Sequence, residues 1–265
     1  MTEIITPETI KAASQERFPT EIVSLPSKGL LYPEGHPLRS GEIEIKYMTA
    51  KEEDILSTKS YIDKNIVLDK LLQSLIVTKF NYDDLLIGDR NAIMIAARIY
   101  GYGKDYKTTV RKPNGKDMQL TIDLTEIGHK SIDETLFNGS NTFTCKLPIS
   151  GKTIQIELFT VGKLKDYEAS VAANEKIKSF NKGADATATT MYRYLIKSID
   201  GVTPDKLVES INNLVVADTR FIREFVQRVQ PDIDLELDME DPDTGESFCG
   251  KIQLGITMFY PDFEK

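Results

Sequence analysis

The same ordered series of structural signals occurs twice in this chain, in residues 21–125 and again in residues 143–258. Each series opens with a Leu-Pro step and a glycine, in residues 23–29 and, 122 positions later, in residues 145–151. A fixed order of signals that recurs along a chain indicates a duplicated structural unit. The pattern therefore predicts an α+β protein of two degenerate tandem repeats, each with antiparallel strands or hairpins and two to three amphipathic helices. The alternative is two unrelated α+β domains that use common signals.

Alternation of apolar and polar residues predicts half-buried strands at residues 43–45 and 154–156. Each run leads to a threonine, Thr49 or Thr160, that is typical of a helix start. Thr49 and Glu52 form a Thr-x-x-Glu capping box, in which the glutamate reaches back to the start of the helix. Thr160 has no such partner, so we expect a weaker cap in the second half.

Asp89 and Asp218 lie 129 positions apart, and each is followed by apolar residues at i+4, i+7, i+8 and i+11. This spacing predicts two amphipathic helices, with each aspartate as the N-cap that accepts a backbone N–H. Both helices lead into predicted hairpins, which comprise residues 106–110 with 118–122 and residues 233–237 with 250–254. The turns contain Asn-Gly and Thr-Gly, whose glycines supply a positive φ.

The predicted organisation has four parts. They are an N-terminal arm at 1–20 with a short polar helix from residue 7 to residue 17, repeat 1 at 21–125, a connector at 126–142 and repeat 2 at 143–265. A stretch of small residues at 171–188 is predicted to be a flexible connector inside the second repeat.

The two hairpins carry opposite charge. The first is crowded by basic residues and the second by acidic ones, among them Lys107, Arg111 and Lys112 in the first and Asp238 and Asp241 in the second. One interpretation is head-to-tail association of copies, with the basic hairpin of one chain against the acidic hairpin of the next, since charge sets register and partner choice. The other is that both hairpins have solvated faces whose charges protect exposed strand edges.

Composition excludes several classes of protein. The balance of hydrophobic and charged residues is that of a globular protein, and no apolar run approaches the roughly 20 residues that cross a bilayer. The first residues lack the basic and apolar regions of a signal peptide, so we expect the protein to stay where it is made. A net charge of −8 argues against a sequence-independent nucleic-acid binder, which needs a basic face.

Side chains for metal or nucleophilic chemistry are few. The chain has two cysteines, Cys145 and Cys249, and two histidines, His36 and His129, and their spacing is not that of a zinc site. No nucleophile with an orienting partner can be recognised near either histidine. We therefore predict no catalytic, metal or cofactor-binding residues and no small-molecule substrate. A hydrolase that uses a pair of acidic residues is the remote alternative, because such pairs leave little trace in a sequence.

One segment distinguishes the first half from the second. Residues 30–40 have no counterpart after Gly151, and they are rich in proline, aliphatic and aromatic residues. Stiff apolar loops lose little entropy on docking, so this segment is a candidate partner contact, through Leu30, Leu31, Tyr32, His36 and Leu38. The alternative is that these side chains fold back and cover the end of their own sheet.

The chain resembles the baseplate hub and hub-assembly proteins of T4-type tailed phages. The resemblance is carried by residues 25–32, by residues 43–53 and by residues 89–103, which begin with Asp89-Arg90 and end in Arg98-Ile99-Tyr100-Gly101-Tyr102-Gly103. It covers residues 22–125 well and the second half more loosely. Some related sequences carry cysteine pairs in the hairpin with the capacity to hold zinc, whereas residues 110–120 here contain none and the second hairpin has Cys249 alone, so the resemblance implies no metal here.

The resemblance implies a non-enzymatic structural component of a contractile tail baseplate, in the hub region, that is assembled in the host cytoplasm and located in the virion. Its implied partners are other baseplate and tail proteins, with a homo-oligomer as a further possibility and without nucleic acid or membrane. The alternative within the same family is a transient hub-assembly chaperone that leaves before the particle is complete.

Overall fold

The computed structural model of the protein describes residues 18–112, 115–180, 187–241, 244–245 and 247–260. The helix predicted at residues 7–17, residues 181–186 of the predicted connector, and the hairpin-turn residues 113, 114, 242 and 243 lie outside the described residues.

The first half contains four strands and four α-helices within the described residues. They are β1 (Thr20–Ser24), β2 (Glu42–Lys46), α1 (Ala50–Ser57), α2 (Lys59–Asp63), α3 (Val67–Leu75), α4 (Ile87–Tyr102), β3 (Asp105–Arg111) and β4 (Asp117–Asp123).

The second half contains five strands and four α-helices in its described part. They are β5 (Phe143–Lys146), β6 (Thr153–Ile156), α5 (Val161–Phe180), α6 (Thr187–Leu195), β7 (Ile196–Ile199), α7 (Leu207–Asn212), α8 (Val216–Val229), β8 (Glu236–Glu240) and β9 (Ser247–Lys251).

The strands form small antiparallel sheets. β1 pairs with β2, β3 with β4 and β8 with β9, while β5, β6 and β7 form a three-stranded sheet in that order. Helices pack against these sheets, so the predicted α+β class is confirmed.

Local sequence explains where several elements begin and end. β2 follows the predicted alternation, because Ile43 and Ile45 are buried while the residues between and beside them are not. α1 begins after Thr49, whose N–H donates to the Glu52 carboxylate as the capping box predicts. The Thr49 hydroxyl donates to the same carboxylate. α4 ends at Tyr102 and is followed by Gly103 as its C-cap. Gly103 has a φ of +83°, a backbone conformation that residues with a Cβ rarely adopt.

The two halves share one hydrophobic core, which contains residues from both. They meet where the segment before α4 lies antiparallel to the segment before α5: Val161 N–H donates to the Leu85 carbonyl at 2.8 Å, and Leu86 bridges Thr160. Gly88, in the first turn of α4, lies directly against the backbone of Pro231 and Asp232 at the end of α8. The halves are therefore packed through backbone as well as side chains.

The order of elements is similar in the two halves. In each, two paired strands precede helices, and a long helix leads into a terminal hairpin, as the sequence predicts. The first half has α2 in addition, and the second has β7 and α7. That the halves are degenerate copies of one unit, with the boundaries given above, stays a prediction.

Three local predictions need correction. The second hairpin lies about three residues later than predicted in its first strand, because Ile233 is buried and bridges His129 in place of pairing within the hairpin. Residues 171–180 belong to α5 and are not a connector. Asp89 and Asp218 are not N-caps, since the N-cap residues are Leu86 and Val215 and each aspartate lies in the first turn of its helix.

Candidate interaction surfaces

Asp89 is a buried anchor for a distant segment. Its carboxylate accepts hydrogen bonds from the Ser27 N–H at 2.9 Å, the Ser27 hydroxyl at 2.7 Å and the Tyr32 hydroxyl at 2.6 Å. The same hydroxyl accepts the Leu86 N–H at 3.1 Å, so Tyr32 caps α4 in the place where a side chain of the helix itself was expected. Burial raises the pKa of Asp89 despite these donors, and burial next to Asp89 raises the pKa of Tyr32.

The segment 30–40 is consequently folded onto its own half. Leu31, Tyr32 and Leu38 are at most 3% exposed, so they lie in the core and not on the surface as a contact role requires. The Arg39 guanidinium holds the loop closed by donating to the carbonyls of Gly29, Leu30 and Tyr32. The alternative interpretation, that these side chains cover the end of their own sheet, describes what the structure shows.

The other two residues of this segment lie at its margin. Leu30 is half-buried, and the His36 ring stacks on Tyr32 with centroids 5.0 Å apart and meets Phe80 edge-on at 6.0 Å. His36 Nε2 also lies 4.0 Å from a carboxylate oxygen of Asp84. Partner contacts by Leu30 and His36 stay a prediction.

Asp218 occupies the corresponding position in the second half, with fewer partners. It is completely buried and accepts from the Ile149 N–H at 2.9 Å and the Ser150 N–H at 3.1 Å, which lie in the second Leu-Pro loop. No hydroxyl of a described residue reaches it. Both halves therefore attach their Leu-Pro loop to the first turn of a long helix through a buried aspartate, but in the described part of the chain only the first half adds a covering segment, residues 30–40.

A groove is open where that cover is missing. It has a volume of about 500 Å³ and lies between the loop 148–152, the end of β7, α7 and the start of α8. Its lining includes Ile149, which is 66% exposed, and Val215, which is 46% exposed, and the neighbouring Val216 is 78% exposed. Clustered aliphatic side chains with this exposure are typical of a binding surface. We call this site the α8 groove.

A second, smaller groove of about 250 Å³ runs between β1, α4 and residues 124–129. It is lined mainly by aliphatic side chains, with the exposed Ile22 on one side and His129 on the other. Burial lowers the pKa of His129, as does the positive charge of Lys28, so the imidazole is favoured in its neutral form.

The two hairpins contact each other within one chain. Lys112 Nζ lies 2.6 Å from Asp241 Oδ2, and both side chains are almost buried. Val110 packs against Gly250 nearby, so little space separates the two hairpins. Lys112 and Asp241 therefore pair within one chain, and neither is a surface residue; association of copies through the hairpins stays a prediction. Lys107, Arg111 and Asp238 are exposed, and their contact role stays a prediction.

The remaining reactive side chains are dispersed. Among the described residues, no group of three His, Cys, Asp or Glu side chains is arranged to hold a metal ion. Cys145 and Cys249 are both free thiols, and burial raises the pKa of Cys145 to about 11. Asp89, the carboxyl group whose pKa burial raises, lines neither groove. Within the described ranges, every helix is too short or too polar to cross a lipid bilayer.

Local sequence patterns do not predict the α8 groove. Its signal was present as the run Leu214-Val215-Val216 directly before a helix and as the missing counterpart of residues 30–40. That difference is an addition to the first half, and it also leaves a surface of the second half uncovered within the described residues.

The model of a family described as T4 bacteriophage base plate protein matches residues 23–255. This match includes both Leu-Pro loops, both long helices and both hairpins. The chain belongs to this family. No curated protein and no solved structure matches the chain.

Family membership confirms the resemblance to T4-type baseplate proteins and extends it through the second half. The chain is a structural component of a phage baseplate, located in the tail of the virion, and it interacts with other tail or baseplate proteins. Its exposed apolar surfaces are accordingly to be interpreted as sites for protein neighbours.

Proposed function

We propose that this baseplate protein is a non-enzymatic subunit of the hub region of a contractile tail, assembled in the host cytoplasm through contacts with other baseplate proteins. Its position in the hub is supported by the resemblance of residues 25–32 and 89–103 to hub and hub-assembly proteins. Family membership supports the baseplate as a whole.

The contacts of the buried ionisable groups support a non-enzymatic role. Asp89 and Asp218 accept hydrogen bonds from loop backbone. Glu52 accepts hydrogen bonds from Lys46, Ser74 and Thr49. Arg98 donates to two backbone carbonyls just beyond α4. An acid–base pair needs a cleft with two carboxylates that face a substrate. These groups instead join one part of the chain to another, which is what a scaffold requires.

Location in the hub is tested by electron cryomicroscopy of baseplates that carry a small, rigid fusion partner at the end of this chain. We expect the additional density close to the tail axis, at a copy number compatible with the hub. Density at the periphery of the baseplate would reject the hub assignment and leave membership of the baseplate intact. Untagged particles from the same preparation are the control.

A further inference from the structure

The α8 groove is the counterpart of a site that the chain itself fills in its first half. Tyr32 contacts Asp89 and the Leu86 N–H, and 129 positions after these two residues the groove is lined by Asp218 and Val215. The two pairs have the same separation along the chain and the same place at the start of a long helix.

The ring of His36, the second aromatic ring in residues 30–40, indicates the same correspondence between the two halves. His36 packs on Phe80 and lies near Asp84, which precede Asp89 by nine and by five residues. The residues that precede Asp218 by nine and by five are Glu209 and Asn213, and both line the α8 groove. In sequence position, the groove residues thus correspond to the residues that Tyr32 and His36 contact in the first half.

Three polar groups of the groove have no hydrogen-bond acceptor or ion-pair partner among the described residues. The Val215 N–H, at the N-cap of α8, has no acceptor among the described residues, whereas its counterpart at Leu86 is bonded to the Tyr32 hydroxyl. Lys152 and Lys206 line the groove and form no ion pair with any residue that the structure describes. Aliphatic walls, the available Val215 N–H, and these two ammonium groups with the exposed Glu209 carboxylate in the same lining define what an occupant must offer.

We propose that the α8 groove docks a loop of a neighbouring baseplate protein that presents a tyrosine between aliphatic and acidic residues. The tyrosine hydroxyl accepts the Val215 N–H, as the Tyr32 hydroxyl accepts the Leu86 N–H, while the buried Asp218 keeps its bonds to Ile149 and Ser150. The acidic residues of the loop pair with Lys152 and Lys206, as charge complementarity requires. This surface deepens the proposed function, because it rests on the chain acting through protein contacts.

A second copy of this chain is not the occupant through its own covering segment. Tyr32 is 3% exposed, and Arg39 ties the loop to its own half, so donation would require the first half to open. The apolar area around the groove is also local, which suits one inserted loop better than a broad face shared by two identical chains.

The chemistry is tested on the isolated full chain with a synthetic peptide that copies residues 29–41, the natural occupant of the first-half site. We expect saturable shifts of the amide resonances of Ile149, Val215 and Val216, and no such binding to the Val216→Asp variant. The matched peptide with Tyr32→Phe should bind about fivefold more weakly, because it no longer accepts the Val215 N–H. Equal binding of the two peptides, or shifts outside the groove, would overturn the proposed tyrosine recognition.

Occupancy in the particle is tested by thiol labelling of a Val216→Cys variant, with Ile62→Cys on α2 as the control at another exposed aliphatic position. Mass spectrometry of the labelled fragments separates the introduced thiol from the native thiols. We expect labelling at position 216 to slow at least about tenfold between free chain and assembled baseplate, since reactivity follows exposure. Unchanged labelling in particles that contain the chain would reject this docking site alone. Absence of the chain from particles would instead reject the proposed function.

Discussion

Replacement of Glu52 by glutamine tests whether one buried carboxylate holds three elements together. Glu52 is completely buried and accepts from Lys46 Nζ on β2 at 2.7 Å, the Ser74 hydroxyl on α3 at 2.6 Å and the Thr49 N–H at 2.9 Å. Burial alone would raise its pKa, but these donors outweigh the desolvation and lower the pKa from 4.5 to about 2. The ionised form is therefore favoured by folding.

The sign and size of the effect follow from this shift. Because the folded-state pKa is lower than the unfolded-state value, ionised Glu52 stabilises the protein above about pH 4.5, and the stabilisation is lost as the pH falls toward about 2. A shift of this size corresponds to about 3 kcal/mol in the free energy of unfolding. Glutamine resembles protonated glutamate, so the wild type should exceed Glu52→Gln by about this amount at neutral pH and by little at the acid end.

Urea unfolding of both proteins at a series of pH values measures this difference directly. Subtraction of the two curves removes the titration of all other groups that behave alike in both proteins. Glu53→Gln is the matched control, since it makes the same change at an exposed position in the same turn and should alter stability little. A wild-type advantage that stays constant as the pH falls through this range would refute the role assigned to the Glu52 charge.

Three further substitutions test other contacts by urea unfolding. Tyr32→Phe should cost about 2–4 kcal/mol, because it leaves the buried Leu86 N–H without a partner and removes one of the three donors to the buried Asp89 carboxylate, whereas Tyr61→Phe on α2 should cost little. Gly88→Ala should destabilise by more than about 3 kcal/mol, since its Cβ would lie 1.8 Å from a backbone oxygen, while Gly101→Ala in the same helix meets only a flexible methionine and should be near neutral. Lys112→Met should cost about 2 kcal/mol by leaving its nearly buried aspartate partner without this ammonium, and no loss would indicate that the hairpins are joined by apolar packing alone.

Local signals in the sequence predicted the parts of the fold that neighbouring residues determine. The alternation at residues 43–45 and the Thr-x-x-Glu box are both found where expected, and the first hairpin pairs residues 105–111 with residues 117–123. The glycines of both hairpin turns have a positive φ, as predicted. These features depend on backbone preferences and on contacts a few residues apart, which are visible in a single sequence.

Contacts between distant segments could not be predicted in the same way. Asp89 has the appearance of an N-cap in the sequence, but the group that caps its helix is the hydroxyl of Tyr32, which is 57 residues away from Asp89. The apolar residues of the segment 30–40 suit a surface loop and a folded-back loop equally, and only the position of Asp89 decides between them. The opposite charges of the hairpins are visible in the sequence. A charge pattern does not show whether Lys112 pairs with an acidic residue of its own chain or of another chain.

The central claim is that this chain remains in the baseplate as a structural subunit. Quantitative mass spectrometry of purified tailed particles, with infected lysate as the reference, tests it most directly. The proposed function predicts peptides of this chain in particles at a constant low multiple per tail, comparable with that of other hub proteins. Abundance in lysate together with absence from particles would contradict the claim and identify the protein as an assembly factor that leaves before the particle is complete.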